Sequence, residues 1–200
     1  MDLVAVAPPS EPRPEGDPTV ALARAGDAAA FARLYHQHVD RVYARLTRLV
    51  GPISERDDLL QQTFLRVHRA LPQFRGEADL ATFIHRIAVN VALDHLRGQR
   101  RRPLVFDDDA LAAMTTEASD PGARAAGRQE LARVFALLAE LPPEQRVAFV
   151  LIAIDGLTAR EAGELLGITT DAAKQRALTA RRALTTRLAA ATGPRPPRTP

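Results

Sequence analysis

The stretch GLTAREAGELLGITTDAAKQRALTARRALTTR, residues 156–187, decides the fold. Thr158 and Glu161 have the spacing of a capping box: the Thr158 hydroxyl can accept a free helix amide while the Glu161 carboxylate reaches back to the Thr158 amide. Leu157 can staple onto the first turn. A short helix therefore begins there and ends at Gly167. Ile168-Thr169-Thr170 follows, and Thr170 or Asp171 can cap a longer helix reaching about residue 188. Two helices in this layout form a helix-turn-helix, whose second member enters the major groove of DNA.

That second helix carries Lys174, Arg176, Arg181, Arg182 and Arg187, with no acid after Asp171. Such a face meets phosphates or base edges, and Thr169, Thr170 and Gln175 near its start can add hydrogen bonds. A basic row on an isolated helix also fits a merely solvated surface. Its place directly after a capped helix and a glycine turn favours DNA, although this half alone is common to many transcription regulators.

Upstream of the motif, Leu131, Val134, Phe135, Leu138 and Leu141 recur at helical spacing. Pro142-Pro143 interrupts them, and Val147, Val150, Leu151 and Ile154 continue to a stop at Asp155-Gly156. These helices complete a domain over 129–189, with a Pro/Arg-rich tail at 190–200 expected to be disordered. Residues 103–128, with Asp107-Asp108-Asp109 and few large apolar side chains, are expected to form a flexible linker with room for a short helical turn.

The first half reads as three helices. Phe31, Leu34, Tyr35, Val39, Val42, Tyr43, Leu46 and Leu49 make one stripe, closed by Gly51-Pro52. A second helix starts near Ser54, expected as its cap, with Glu55, Asp57 and Asp58 at the positive end of the dipole and Leu60, Phe64, Val67 and Leu71 facing inward. After the loop Pro72–Gly76, a third stripe runs through Leu80, Phe83, Ile84, Ile87, Val91 and Leu96 to Gly98. This is a second compact domain over 22–102, preceded by a leader, 1–21, expected to be disordered because it is rich in Pro, Glu, Asp and Ala. The fold class is all-α, with two small helical domains joined by a linker.

On the third helix Arg86, Asn90, Asp94 and Arg97 share one polar face. Asp94 is expected to hold Arg97, leaving Arg86 and Asn90, with Arg100, Arg101 and Arg102, to face a nucleic acid. Phe74 in the loop and Phe83 just after it can stack on unpaired bases, although the spacing of Phe83 also suits a core role.

Composition narrows the function. The net charge is +3, and the pI of about 10.1 reflects arginine, which stays charged. Cysteine is absent, so disulfides and thiolate metal sites are excluded and a reducing cytoplasm is the default. No signal peptide and no apolar run near the roughly 20 residues of a membrane helix is present, so no membrane insertion is expected. The five histidines do not pair with carboxylates at metal-ligand spacing, and no phosphate-binding glycine loop occurs, so no catalytic residue, metal or cofactor is expected. The residues leave open a helix-turn-helix repressor or activator with a sensing first domain, and a protein-binding helical module.

The runs Asp57–Val67, Phe74-Arg75-Gly76-Glu77, Thr82–Asn90 and Asp94–Arg97 closely resemble conserved region two of extracytoplasmic-function (ECF) sigma factors. Leu141–Arg146, Gly156-Leu157-Thr158 and Lys174–Leu184 resemble their region four. The resemblance implies a transcription initiation subunit and not an enzyme, with core RNA polymerase, promoter DNA and an inhibiting anti-sigma factor as partners. By position it puts Asp57, Asp58, Leu59 and Gln62 on the polymerase-binding helix. Phe74, Arg75, Phe83, Arg86, Asn90, Arg97, Arg100 and Arg101 fall where the downstream (-10) strand is captured and melted. Thr169, Thr170, Lys174, Gln175, Arg176, Arg181 and Arg182 fall on the reader of the upstream (-35) element. Gln62 stands where glutamate is common, Phe83 where tryptophan is usual, and Ala173 and Ala177 where larger apolar residues are typical.

Overall fold

The computed structural model describes residues 17–76, 78–99, 106–114 and 121–192, and among these all regular structure is helical. The elements are α1 (Pro18–Arg24), α2 (Ala28–Val50), α3 (Arg56–Ala70) with a 3-10 turn (Leu71–Gln73), α4 (Leu80–Gln99), α5 (Asp108–Ala113), α6 (Pro121–Ala139), α7 (Pro143–Phe149) running into a π-turn (Val150–Ile154), α8 (Ala159–Leu166) and α9 (Thr170–Thr192).

Helix α2 ends at Gly51 because its backbone turns to φ +89°, a conformation costly for any residue with a Cβ. Its buried residues Val42, Leu46, Leu49 and Val50 pack with Phe64 and Val67 of α3 and Ile84, Ala88, Val91 and Ala92 of α4, while Leu34 joins Ala23, Ala30 and Leu71 in a smaller cluster. Full burial of each large aliphatic side chain contributes roughly 1.5–3 kcal/mol, so this three-helix contact is the main stabilising term of the first half. The sequence expectations differ in three details. Ser54 does not cap α3; its hydroxyl donates to the Glu55 carboxylate at 3.1 Å. The inward residue of the first turn is Leu59, while Leu60 is only half-buried. Helix α1 begins at Pro18, inside the segment read as leader, because Asp17 caps it by accepting from the Thr19 amide at 2.8 Å.

The linker expectation also changes. Asp107 caps α5 through the amides of Asp109 and Ala110, giving the short helical turn foreseen there. The Asp107 amide donates to the Pro52 carbonyl at 2.7 Å, which fastens this part of the linker to the first half. Helix α6 starts at Pro121, well before 129, and α9 runs to Thr192, past 190. Residues 1–16, 103–105, 115–120 and 193–200 of the leader, linker and tail lie outside the described residues.

The two halves share one core. A single cluster runs from Val42 and Ile84 through Phe135, Leu138, Val147 and Leu151 to Ala173 and Leu184, with α4 packed against α7 and α8. Gly51 sits in this seam: a Cβ there would lie 3.3 Å from the Phe135 ring and 3.6 Å from the Arg146 guanidinium.

Candidate nucleic-acid interface

The helix-turn-helix forms as its residues dictate. The Thr158 hydroxyl accepts from the Glu161 amide at 3.2 Å, and the Glu161 carboxylate accepts from the Thr158 amide at 2.8 Å, closing the capping box. Those bonds favour the carboxylate form, so the hydroxyl and amide of Thr158 draw the Glu161 carboxyl below its ordinary range. Gly167 ends α8 in the left-handed region, φ +65°, and the Ile168 amide donates to the Gly163 carbonyl at 3.0 Å. The cap of α9 is Thr169, whose hydroxyl accepts from the Ala172 amide at 3.2 Å, and not Thr170 or Asp171.

Helix α9 buries Ala173, Ala177, Ala180 and Leu184, at spacings of four, three and four, against α7 and α8. The small side chains let the helices approach closely, so Ala173 and Ala177 face the core and not the groove side. Lys174, Gln175, Arg181 and Arg182 are exposed on the opposite face, and Thr169 and Thr170 are exposed at its start. Arg176 is half-buried at the edge of that face. Arg187 is tied to Glu140 at 2.8 Å.

In the first half, Arg86, Asn90, Asp94 and Arg97 are exposed along one face of α4. Asp94 does not hold Arg97. Its carboxylate accepts from Arg66 of α3 at 2.9 Å, and Arg97 donates to Glu144 of α7 at 3.0 Å. A hydrogen bond from its own backbone amide, then Arg97 and the nearby Arg176 charge, hold the Glu144 carboxyl below its ordinary range. Faces from both halves therefore converge on this one carboxylate.

Phe74 and Phe83 lie with ring centroids 4.9 Å apart, half-buried against Ala23, Leu34 and Leu71. The core role and the stacking role foreseen for Phe83 are compatible, since the pair is packed on one side and partly open. Arg75 beside them is exposed. Arg100 and Arg101 lie outside the described residues.

Asp57, Asp58 and Gln62 are exposed on α3, whereas Leu59 is buried and supports the helix from inside. Asp57 borders an open apolar groove between α2 and α3 lined by Phe31, Tyr35, Leu60, Phe64 and Leu65. Leu65, 49% exposed, was missed by periodicity reading because it lies off the buried stripe.

Five further residues gave no functional signal in the periodicity of the sequence. Arg45 and Arg48 of α2 both donate through Nε to Asp155, at 2.9 and 2.5 Å, and the Asp155 side chain is wholly buried. Arg45 sits below its ordinary guanidinium range because burial outweighs the attraction of Asp155. The π-turn ends at Asp155, whose amide donates to the Val150 carbonyl at 2.8 Å, and this aims the carboxylate at α2. His85 of α4 is near enough to these arginines to feel their charge. Burial first, and then the charges of Arg45, His38, Arg41 and Arg48, push it down to about 3. Arg146 is 2% exposed, its Nε and one Nη lack partners, and burial alone draws it down to about 10.

Two helical domains, one with a capped helix-turn-helix and an outward basic face, the other with an aromatic pair beside a polar helix face, define a DNA-binding transcription protein. The family model of Sigma-70 region 2 matches residues 34–102, and that of Sigma-70, region 4 matches residues 131–184. The ECF RNA polymerase sigma-E factor of Escherichia coli (strain K12) is 31% identical over 166 residues, covering 80% of this chain and 86% of the relative. The ECF RNA polymerase sigma factor SigM of Mycobacterium tuberculosis is 34% identical over 158 residues, 78% and 76% of the respective chains. The solved structure of CnrH in complex with the cytosolic domain of CnrY superposes with a TM-score of 0.61 at 29% identity, covering 86% of this chain and 96% of that one. The chain belongs to the ECF RNA polymerase sigma factors, a family of transcription initiation factors.

Proposed function

We propose that this chain docks on core RNA polymerase through Asp57, Asp58 and Gln62 on α3, and directs it to promoters carrying two spaced elements. In this reading Lys174, Gln175, Arg176, Arg181 and Arg182, with Thr169 and Thr170, contact the upstream element. Arg86, Asn90 and Arg97, with Phe74, Phe83, Arg75, Arg100 and Arg101, capture the melted downstream strand. The working units are the domain 22–102, the linker 103–128 and the domain 129–189, and Leu59 acts as a supporting residue.

One observation carries the reading: the half-buried Phe74–Phe83 pair lies in the same domain as the exposed Arg86 and Asn90. Unstacking a base costs a few kcal/mol, and stacking on an aromatic returns roughly 1–3 kcal/mol per base. Binding to duplex operator alone would leave the open side of this pair unused. The chain itself makes and breaks no bond; the polymerase does the chemistry, in the cytoplasm. No helix among the described residues is long and apolar enough to cross a membrane.

Elements spaced along a duplex require the two domains to part, since Arg97 of α4 is now tied to Glu144 of α7. A partner that holds the closed arrangement would silence the chain. An anti-sigma factor, the inhibitor implied by family resemblance, is the partner proposed for that role.

The test is capture of core polymerase by the full chain and by Asp57→Ala/Asp58→Ala. The account expects the double variant to lose at least about tenfold in affinity, equivalent to about 1.4 kcal/mol. Capture at full strength would remove α3 from the docking role. Operator binding by the chain alone, without core capture, would favour a helix-turn-helix regulator.

A further inference from the structure

Asp155 fills a recess that its own domain does not make. The recess belongs to α2, where Arg41, Arg45 and Arg48 follow at spacings of four and three and so share one helix face. Arg45 and Arg48 each point Nε at the same carboxylate and occupy both of its oxygens. Among the described residues, neither guanidinium is paired with a carboxylate of the first domain, and Asp155 is the one acid acting on Arg45. Two converging, largely desolvated guanidiniums without an acid of their own in the first domain form a ready site for an external anion.

The shape of the site indicates which anion. Each arginine donates to a different one of the two oxygens of a single group, an arrangement a phosphodiester reproduces with its two non-bridging oxygens. The row continues outward to the exposed Arg41. Helix α2 also packs against α4, where His85 feels the charges of Arg45, Arg41 and Arg48 and neighbours Arg86, assigned above to the downstream strand.

We propose that Arg41, Arg45 and Arg48 form a phosphodiester-binding site of the first domain, which Asp155 occupies in the closed arrangement and a DNA backbone phosphate occupies once the domains part. This rests on the reading above that the domains separate on DNA. Asp155 then acts as a built-in competitor that lowers DNA affinity for as long as the domains stay closed. A carboxylate from an acidic protein could fill the same recess, but it would gain nothing from continuity with Arg86 and Asn90, so DNA is the favoured occupant.

The experiment uses the full chain and a labelled random-sequence DNA, single-stranded and duplex, with affinity followed against salt. Asp155→Asn is expected to tighten binding by about tenfold or more and to steepen the slope of log K against log salt by about 0.7 to 0.9, the contribution of one added phosphate contact. Adding Arg45→Gln and Arg48→Gln to that variant should return both quantities to the wild-type values or below. Asp155→Glu, which keeps an occupant, should match wild type.

Energy transfer between dyes on α3 and α9 reports whether the domains part. Parting without a change in affinity or slope overturns the site, as does a gain that survives loss of both arginines. A gain for polyglutamate and none for DNA overturns it in favour of an acidic protein partner. Should Asp155→Asn lose its helical signal, Arg45→Gln/Arg48→Gln assembled with core polymerase replaces it. A slope flattened by about 0.7 to 0.9 supports the site, and an unchanged slope overturns it. If the wild-type chain drives transcription while these slopes stay fixed, only this site fails. If the wild-type chain does not engage core polymerase, the function assigned above fails, and the slopes of the free chain still decide the site.

Discussion

Asp155 and Arg45 stand 110 residues apart in the sequence and meet at 2.9 Å, the carboxylate wholly buried and the guanidinium nearly so. Neither belongs to a recognisable motif, yet the pair joins the π-turn of one domain to α2 of the other. Removing one member of a buried pair costs about 3–5 kcal/mol, because the remaining charge stays desolvated, and Arg48, partly exposed, recovers some of this through water. Asp155→Ala should therefore lower the urea midpoint of the full chain clearly. An unchanged midpoint would mean that the contact contributes nothing to the closed arrangement.

Phe74 and Phe83 predict a separation of two activities. Phe74→Ala or Phe83→Ala should leave duplex promoter binding by the holoenzyme within about twofold and reduce open-complex formation by about tenfold, if one base stack of roughly 1–3 kcal/mol is lost. Permanganate reactivity of thymines in the downstream element is the measurement. Equal loss of duplex binding and melting would contradict the assignment.

Gly163 tests the helix-turn-helix geometry. An added Cβ would lie 2.9 Å from the Ile168 carbonyl oxygen and 3.4 Å from the Thr170 amide nitrogen, both backbone atoms that cannot rotate away. Gly163→Ala should cost about 1–3 kcal/mol and shift α9 against α8, seen as a lower melting temperature and weaker upstream-element binding. A rise in stability, from the roughly 1 kcal/mol helix preference of alanine over glycine, would show that the turn relaxes freely.

His85 gives a pH dependence with a definite sign. Its folded value of about 3 lies below the ordinary 6.5, so the unfolded chain binds the extra proton between those limits. Its contribution is present in full above about pH 6.5 and is lost as pH falls toward 3. Thermal melts between pH 7 and 4 should show falling stability that is shallower in His85→Gln. Equal slopes would place the titration elsewhere.

Much of the fold was legible because it is local. The Thr158–Glu161 box, Gly167, the Gly51 stop and the apolar stripes of α2 and α4 each act within a few residues. The site was legible where faces follow helical spacing, as for Arg86, Asn90 and Asp94, or Lys174, Arg181 and Arg182. What periodicity missed is tertiary. Arg97 prefers Glu144 to Asp94, Leu59 replaces Leu60 in the core, and the Asp155 latch spans 110 residues, so no local pattern encodes any of them. Helix α1 was hidden in a Pro-rich composition, although its Asp17 cap and Pro18 at the first turn are ordinary helix-start signals.

The most direct measurement is run-off transcription from a promoter library with core RNA polymerase, with and without the full chain. The account predicts chain-dependent transcripts whose promoters share two spaced elements, with Lys174→Ala and Arg181→Ala weakening use of the upstream one. Absence of chain-dependent transcripts, together with sequence-specific duplex binding by the chain alone, would contradict it.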